Sequence, residues 1–321
     1  MTQRDHSVSE RDEIDAAMAR ARMFSEMVDP RPDVDPASIA ERFPELSDVV
    51  VADHQIEGPH GTVLARSYLS PNPSGSGLVW VHGGGFLRGN LDMPESHWVS
   101  LELASRGVDV LALDYQKALG EVHHPTLSDE VLAGWLAASS GGFLPTVTPG
   151  RLHLGGASAG GNLSAAVAIR LGDSADTSPA SLILVYPALH AVLPELTPSA
   201  ALAAAELPEH ERFPPDMIRV INLNYTRSIS GLSDPSAFPA DGNVTRLPPT
   251  LIVNAEADDL RCSGEAFGSK LNSVGIHVVV DFEPGTRHGY LDVPGLTEAV
   301  RTIDHIAGWI AQTDNHPRSF R

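Results

Sequence analysis

The chain has 321 residues, of which 42% are hydrophobic and 20% charged; these proportions fit a globular protein and exclude disordered and fibrous classes. An excess of 41 acidic over 22 basic residues leaves a formal charge of −19, which disfavours nucleic acid and anionic membranes as partners. The only cysteine, Cys262, excludes an intramolecular disulfide and reads as a small buried hydrophobe. Residues 1–15 are charged where a secretory peptide needs an apolar run, and no stretch approaches about 18 apolar residues, so the chain reads as soluble and cytoplasmic.

In chain order, Ile14, Ala17, Met18, Ala21, Met23 and Met27 recur mostly at helical spacing and predict an amphipathic helix over 9–27. Pro30, Pro32, Pro36 and Pro44 then punctuate a linker or short turns. Strands are expected at 48–54, 62–69 and 77–82, a helix at 94–106, a buried strand at 108–114 and a helix at 127–138. The alternation continues with a strand at 151–155, an Ala-rich helix at 159–171, strands at 182–186, 250–254 and 277–282, and helices at 261–274 and 295–311. Continuous Val, Ile and Leu runs separated by helices imply an α/β fold with a mostly parallel sheet covered on both faces.

Residues 187–248 break this rhythm: they are rich in Ala and Pro, carry a charged run at 206–212 and show no strand alternation. The expectation is a single domain with a catalytic core of 48–186 and 249–321, and a largely helical cap built from 1–47 and 187–248. An ordinary surface excursion is the plainer alternative. Residues 314–321 are expected to fray.

Gly156-Ala157-Ser158-Ala159-Gly160 fits G-x-S-x-G, a window that arises by chance in about one chain of this size in ten. Its context carries the information: the strand-like Leu152-His153-Leu154 precedes it and a helix-like run follows, the arrangement of a nucleophile elbow. A serine there sits at a helix amino terminus, where developing anions are favoured; a plain helix N-cap is the bland reading. Upstream, His82-Gly83-Gly84-Gly85-Phe86 ends a strand, and three consecutive glycines imply close backbone approach to something. The amides of Gly83, Gly84 and Ala159 are candidate oxyanion donors. A phosphate loop is the competitor, but neither of its sequence patterns occurs. His82 reads as a residue that orients the loop.

Among 14 histidines, His288 lies in a glycine-bearing turn after the strand at 277–282 and is the candidate base. Asp258, after the strand at 250–254, is the candidate acid, with Asp259 and Glu256 as competitors. The order Ser158, Asp258, His288 is that of the α/β-hydrolase fold.

These motifs resemble the hormone-sensitive lipase-like family of bacterial carboxylesterases from about Val79 to Tyr290. The match rests on His82 to Phe86 (HGGGF), on Gly156 to Asn162 (G-D/T-S-A-G-G-N), on His288-Gly289-Tyr290 (HGF/HGY), and on Glu256 to Arg261, similar to E-x-D-P-L-R. The last of these favours Asp258 over Asp259. Three departures stand out: Ala157 before the serine, Tyr115-Gln116-Lys117-Ala118-Leu119 in place of Y-R-L-A-P, and Cys262-Ser263 in place of an acidic pair.

The resemblance implies a serine carboxylesterase acting on short-chain acyl esters through an acyl-enzyme, with no metal or organic cofactor. The same triad serves amide or peptide hydrolysis, and the fold also hosts receptors and dehydratases. The expected partner is a small ester. A homodimer through the edge strand at 275–282, as in some relatives of this family, is a further expectation.

Overall fold

The computed structural model describes residues 3–26, 35–172 and 178–315. Met27, Pro30, Pro32 and residues 316–321 of the expected tail lie outside the described residues.

Helix α1 spans Gln3–Glu26 and α2 spans Pro36–Arg42. The core then builds β1 (Val50–Gly58), β2 (Gly61–Leu69), β3 (Ser76–Val81), α3 (Pro94–Ser105), β4 (Val108–Asp114) and α4 (Thr126–Ser139). It continues with β5 (Leu152–Ala157), α5 (Ala159–Leu171) and β6 (Leu182–Val185). The insertion contributes α6 (Pro198–Ala205) and α7 (Pro215–Thr226), and β7 (Thr250–Ala257), α8 (Arg261–Ser273), β8 (Val278–Arg287) and α9 (Thr297–Asn315) complete the chain.

The eight strands form one sheet in the order β1-β2-β4-β3-β5-β6-β7-β8, antiparallel where β2 meets β1 and β4 and parallel elsewhere. This is an α/β-hydrolase architecture. The strand period of two divides the apolar residues between two layers. Val79 and Val81 of β3 pack with Leu127, Val131 and Trp135 of α4 and with α5, while Leu78 and Trp80 pack with Trp98 of α3 and with Ile303 and Ile306 of α9. Neither face reaches water, which is why these strands read as unbroken apolar runs. Because β3, β5, β6, β7 and β8 run parallel, residues emerging from their carboxyl ends gather along one rim: His82, Ser158, Tyr186, Asp258 and His288.

The amino-terminal segment divides. Ala17 of α1 packs on Val220 and Leu223 of α7, so α1 rests on the insertion. Ile39 of α2 and Leu46 instead bury in the layer of α3 and α9, which places 36–46 on the core rather than in the cap expected for 1–47. The physical reason is apolar: Ile39 is wholly buried, and the layer around Trp98 offers it a larger hydrophobic surface. The carboxyl end of α9 also departs from expectation. Asp314 accepts from the Ser76 hydroxyl and lies 3.3 Å from His153 Nε2, which pins the helix end under the sheet instead of letting it fray. Among the described residues no helix is long and apolar enough to cross a membrane.

Candidate active site

Ser158 occupies the turn between β5 and α5 with φ 51° and ψ −117°, a backbone conformation that L-residues avoid. Glycine permits the turn. A Cβ on Gly160 would lie 2.0 Å from the Val81 carbonyl oxygen, and one on Gly156 would lie 2.5 Å from the same atom, so α5 can approach β3 only if both positions lack side chains. The Ser158 N–H donates to Val185 and its carbonyl accepts from Asn162 and Ala188, tying the strained residue to β6, to α5 and to the segment after β6.

The Ser158 hydroxyl lies 2.9 Å from Nε2 of His288, and Nδ1 of the same ring lies 2.7 Å from Asp258 Oδ2. Asp258 is buried, and its other oxygen accepts from the N–H of Leu260 at 2.9 Å. With Nδ1–H donating to the carboxylate, Nε2 is left as an acceptor for the serine proton. The competing acids are occupied elsewhere: Glu256 accepts from the N–H of Gly285, and Asp259 accepts from both Nε and Nη2 of Arg212, each at 2.8 Å.

At the glycine loop, Gly84 and Gly85 both have positive φ, 107° and 63°. Gly83 differs from the sequence expectation. Its N–H donates to Glu95 Oε1 at 2.5 Å, so this amide is taken. Among the described residues no hydrogen bond uses the N–H of Gly84, Gly85 or Ala159. Glu95, buried at the start of α3, accepts the Tyr186 hydroxyl on Oε2 at 2.5 Å, and Asp292 accepts its backbone N–H. Burial, and next the Glu95 charge, drive the hydroxyls of Tyr186 and Tyr115 well above the usual phenol range.

His82 lies fully buried with its ring stacked on Tyr115, whose hydroxyl donates to the carbonyls of His82 and Gly83. Burial lowers the His82 pKa, keeping a neutral ring under the loop. In the altered Tyr115-Gln116-Lys117 stretch, Lys117 donates to Asp114 at 2.7 Å and its ammonium covers the Tyr115 ring. Ser263 of the altered acid loop accepts the N–H of Leu189 and lies 2.8 Å from His190 Nδ1, tying α8 to the start of the insertion. Burial pushes the Cys262 thiol up to about 11, consistent with a small buried hydrophobe.

Sequence reasoning missed Glu95, Tyr186, Arg212 and Phe213. Tyr186 and Phe213 flank the His288 ring at centroid distances of 4.9 Å and 4.8 Å. Tyr186 carried a usable signal, since it follows a buried parallel strand on the same rim; nothing local marks the other three. Among the described residues no group of three or more His, Cys, Asp or Glu is arranged to hold a metal ion.

The profile of a family described as alpha/beta hydrolase fold matches residues 78–292. The chain is 32% identical over 262 residues to the carboxylic ester hydrolase LipN of Mycobacterium tuberculosis, covering 76% of this chain and 65% of that protein. It is 25% identical over 249 residues to an ethyl acetate hydrolase of Pseudomonas putida, covering 74% of each. A solved esterase from Pyrobaculum calidifontis superimposes with a TM-score of 0.73 at 26% identity, covering 92% of this chain and 97% of that one. With the rim of parallel strands and the matched stretch that contains Ser158 and His288, these likenesses identify the chain as a carboxylic ester hydrolase of the hormone-sensitive lipase-like family, built on the α/β-hydrolase fold.

Proposed function

We propose that the protein hydrolyses short-chain acyl esters, with Ser158 as nucleophile, His288 as general base and then acid, and Asp258 as the group that orients the imidazole. The observation that carries this reading is the His288 ring bridging a serine hydroxyl at 2.9 Å and a buried carboxylate at 2.7 Å. Neutral His288 takes the Ser158 proton as Oγ attacks the ester carbonyl, and the imidazolium is stabilised by Asp258. The tetrahedral oxyanion is received by backbone N–H groups of Gly84, Gly85 and Ala159; Gly83, engaged by Glu95, is not among them. Collapse passes the proton from His288 Nε2 to the departing alkoxide. Water, deprotonated by the same nitrogen, then cleaves the acyl-enzyme.

A small acyl group accords with the activity in the name of the Pseudomonas relative. The packing of α1 on α7 supports a cap made from α1 and the insertion. The buried, unpaired thiol of Cys262 suits a reducing cytoplasm. The free edge of β8, where Val280 and Phe282 are exposed, supports pairing with a second copy; sedimentation showing only monomer at micromolar concentration would remove that part.

The test is a p-nitrophenyl series from acetate to dodecanoate, run beside p-nitroacetanilide, on the protein and on Ser158→Ala. Activity should be highest on acetate or butyrate, with the variant losing about 10⁶ in kcat by analogy with other serine triads. A variant that keeps a tenth of the ester activity, or a protein that prefers the anilide, contradicts the proposal.

A further inference from the structure

Three consecutive residues of the insertion each touch a residue at or beside the proposed triad. Glu211 pairs with Arg287, the residue before His288. Arg212 forms a bidentate pair with Asp259, the residue after Asp258, and the N–H of Phe213 donates to the same carboxylate at 2.7 Å. The Phe213 ring meets the His288 ring edge to face at 4.8 Å and 71°.

We propose that Glu211, Arg212 and Phe213 form a clasp that holds the acid loop and the base loop in mutual register and walls the alcohol side of the substrate site; they are positioning residues, not catalytic ones. This rests on the assignment of Ser158 and His288 above. The imidazole has no rigid element of its own, since it follows β8 and precedes Gly289, which has a positive φ of 75°. Tyr186 meets the ring from the core, and Phe213 adds a second aromatic contact from the insertion. Arg212 is suited to this role because its planar fork matches a carboxylate in two bonds, which fixes direction as well as distance. Asp259 is 7% exposed and takes three donors, whereas in the Glu211–Arg287 pair the Arg287 side chain is 61% exposed. The first contact therefore sets the geometry and the second is the one that salt screens. General-acid chemistry brings the leaving oxygen to Nε2, so the departing alcohol must lie beside the ring that Phe213 touches.

The experiment measures kcat and KM for acetate esters of p-nitrophenol and 1-naphthol, with Arg212→Gln, Arg212→Lys, Phe213→Ala and Phe213→Leu, and the melting temperature of each. Arg212→Gln and Phe213→Ala should lower kcat on p-nitrophenyl acetate by about tenfold or more with KM changed less than about threefold, because misplacing a base costs rate rather than binding. Phe213→Leu should recover most of the loss, and Arg212→Lys should not, since a point charge cannot reproduce the fork. Phe213→Ala should also shift relative kcat/KM toward the naphthyl ester. If Phe213→Ala does not fold, Arg212→Gln decides alone through its kcat.

Folded variants with wild-type kcat and unchanged alcohol preference would overturn the clasp. Equal rescue by Arg212→Lys would overturn its bidentate basis. A wild-type protein without ester hydrolysis, or an active Ser158→Ala, would instead refute the underlying assignment.

Discussion

Replacing Glu95 with alanine removes the acceptor for two buried donors, the N–H of Gly83 and the hydroxyl of Tyr186, each 2.5 Å from a carboxylate oxygen. Leaving a buried donor unsatisfied costs about 1 to 3 kcal/mol, so two together, with the cavity left by the side chain, predict roughly 3 to 6 kcal/mol of lost stability. Glutamine behaves differently. Its amide oxygen can accept from Gly83 and its NH₂ can donate to the tyrosine oxygen, so Glu95→Gln should lose no more than about 2 kcal/mol, the charge-assisted part of the bonds. The kinetic consequence follows from position: Gly83 precedes the loop amides of Gly84 and Gly85, and a Cβ on Gly83 would lie 2.8 Å from Glu95 Oε1 and 3.1 Å from the Ser158 Cβ. Releasing it should lower kcat by about 10² in Glu95→Ala, comparable to losing one oxyanion donor. Urea unfolding and p-nitrophenyl acetate turnover of both variants supply the assay. If glutamine proves as damaging as alanine, charge and not hydrogen-bond satisfaction is the reason for Glu95, and the reasoning fails.

Asp258→Asn should lower kcat by about 10⁴ through loss of the required tautomer, while Glu256→Gln stays near wild type; the reverse order in ester turnover would move the acid role. Gly160→Ala places a methyl against backbone at 2.0 Å and should destabilise by about 3 kcal/mol or more, whereas Gly308→Ala, exposed in α9 with nothing near, should be neutral or stabilising by about 1 kcal/mol in urea unfolding. His97, buried against the Tyr68 hydroxyl, has its pKa lowered from 6.5 to about 4 by burial and then by the Arg66 charge. Between those values the unfolded chain takes up a proton that the folded one refuses, so stability falls as pH drops from 6.5 to about 4, by up to roughly 3 kcal/mol. His97→Gln should flatten that part of the urea-midpoint curve against pH, and an unchanged slope would remove His97 as its source.

Much of this protein was legible before any coordinates because its signals are local. A buried parallel strand must be apolar on both faces, so the runs at 78–81, 110–113 and 182–185 announce themselves. The elbow at Ser158 and the glycine loop are contiguous because each needs small residues at fixed offsets to relieve backbone clashes. Chain order and position after a parallel strand supplied the candidate acid and base, and family likeness added weight to Asp258 over Asp259; in the structure Asp258 meets His288 while Asp259 pairs with Arg212.

Tertiary structure decided what depends on packing between distant segments. Whether the Gly83 amide is free or taken turns on Glu95 reaching it from α3, and no pattern around either residue encodes that meeting. The side of the molecule that receives α2 depends on where the apolar surface around Trp98 lies open. The pairing of Glu211 to Phe213 with the loops that carry Asp258 and His288 likewise arises only when the insertion folds back over the rim. Local sterics are written in neighbouring residues, whereas hydrogen-bond and ion-pair partners across the fold are selected by geometry that exists only once the sheet has formed.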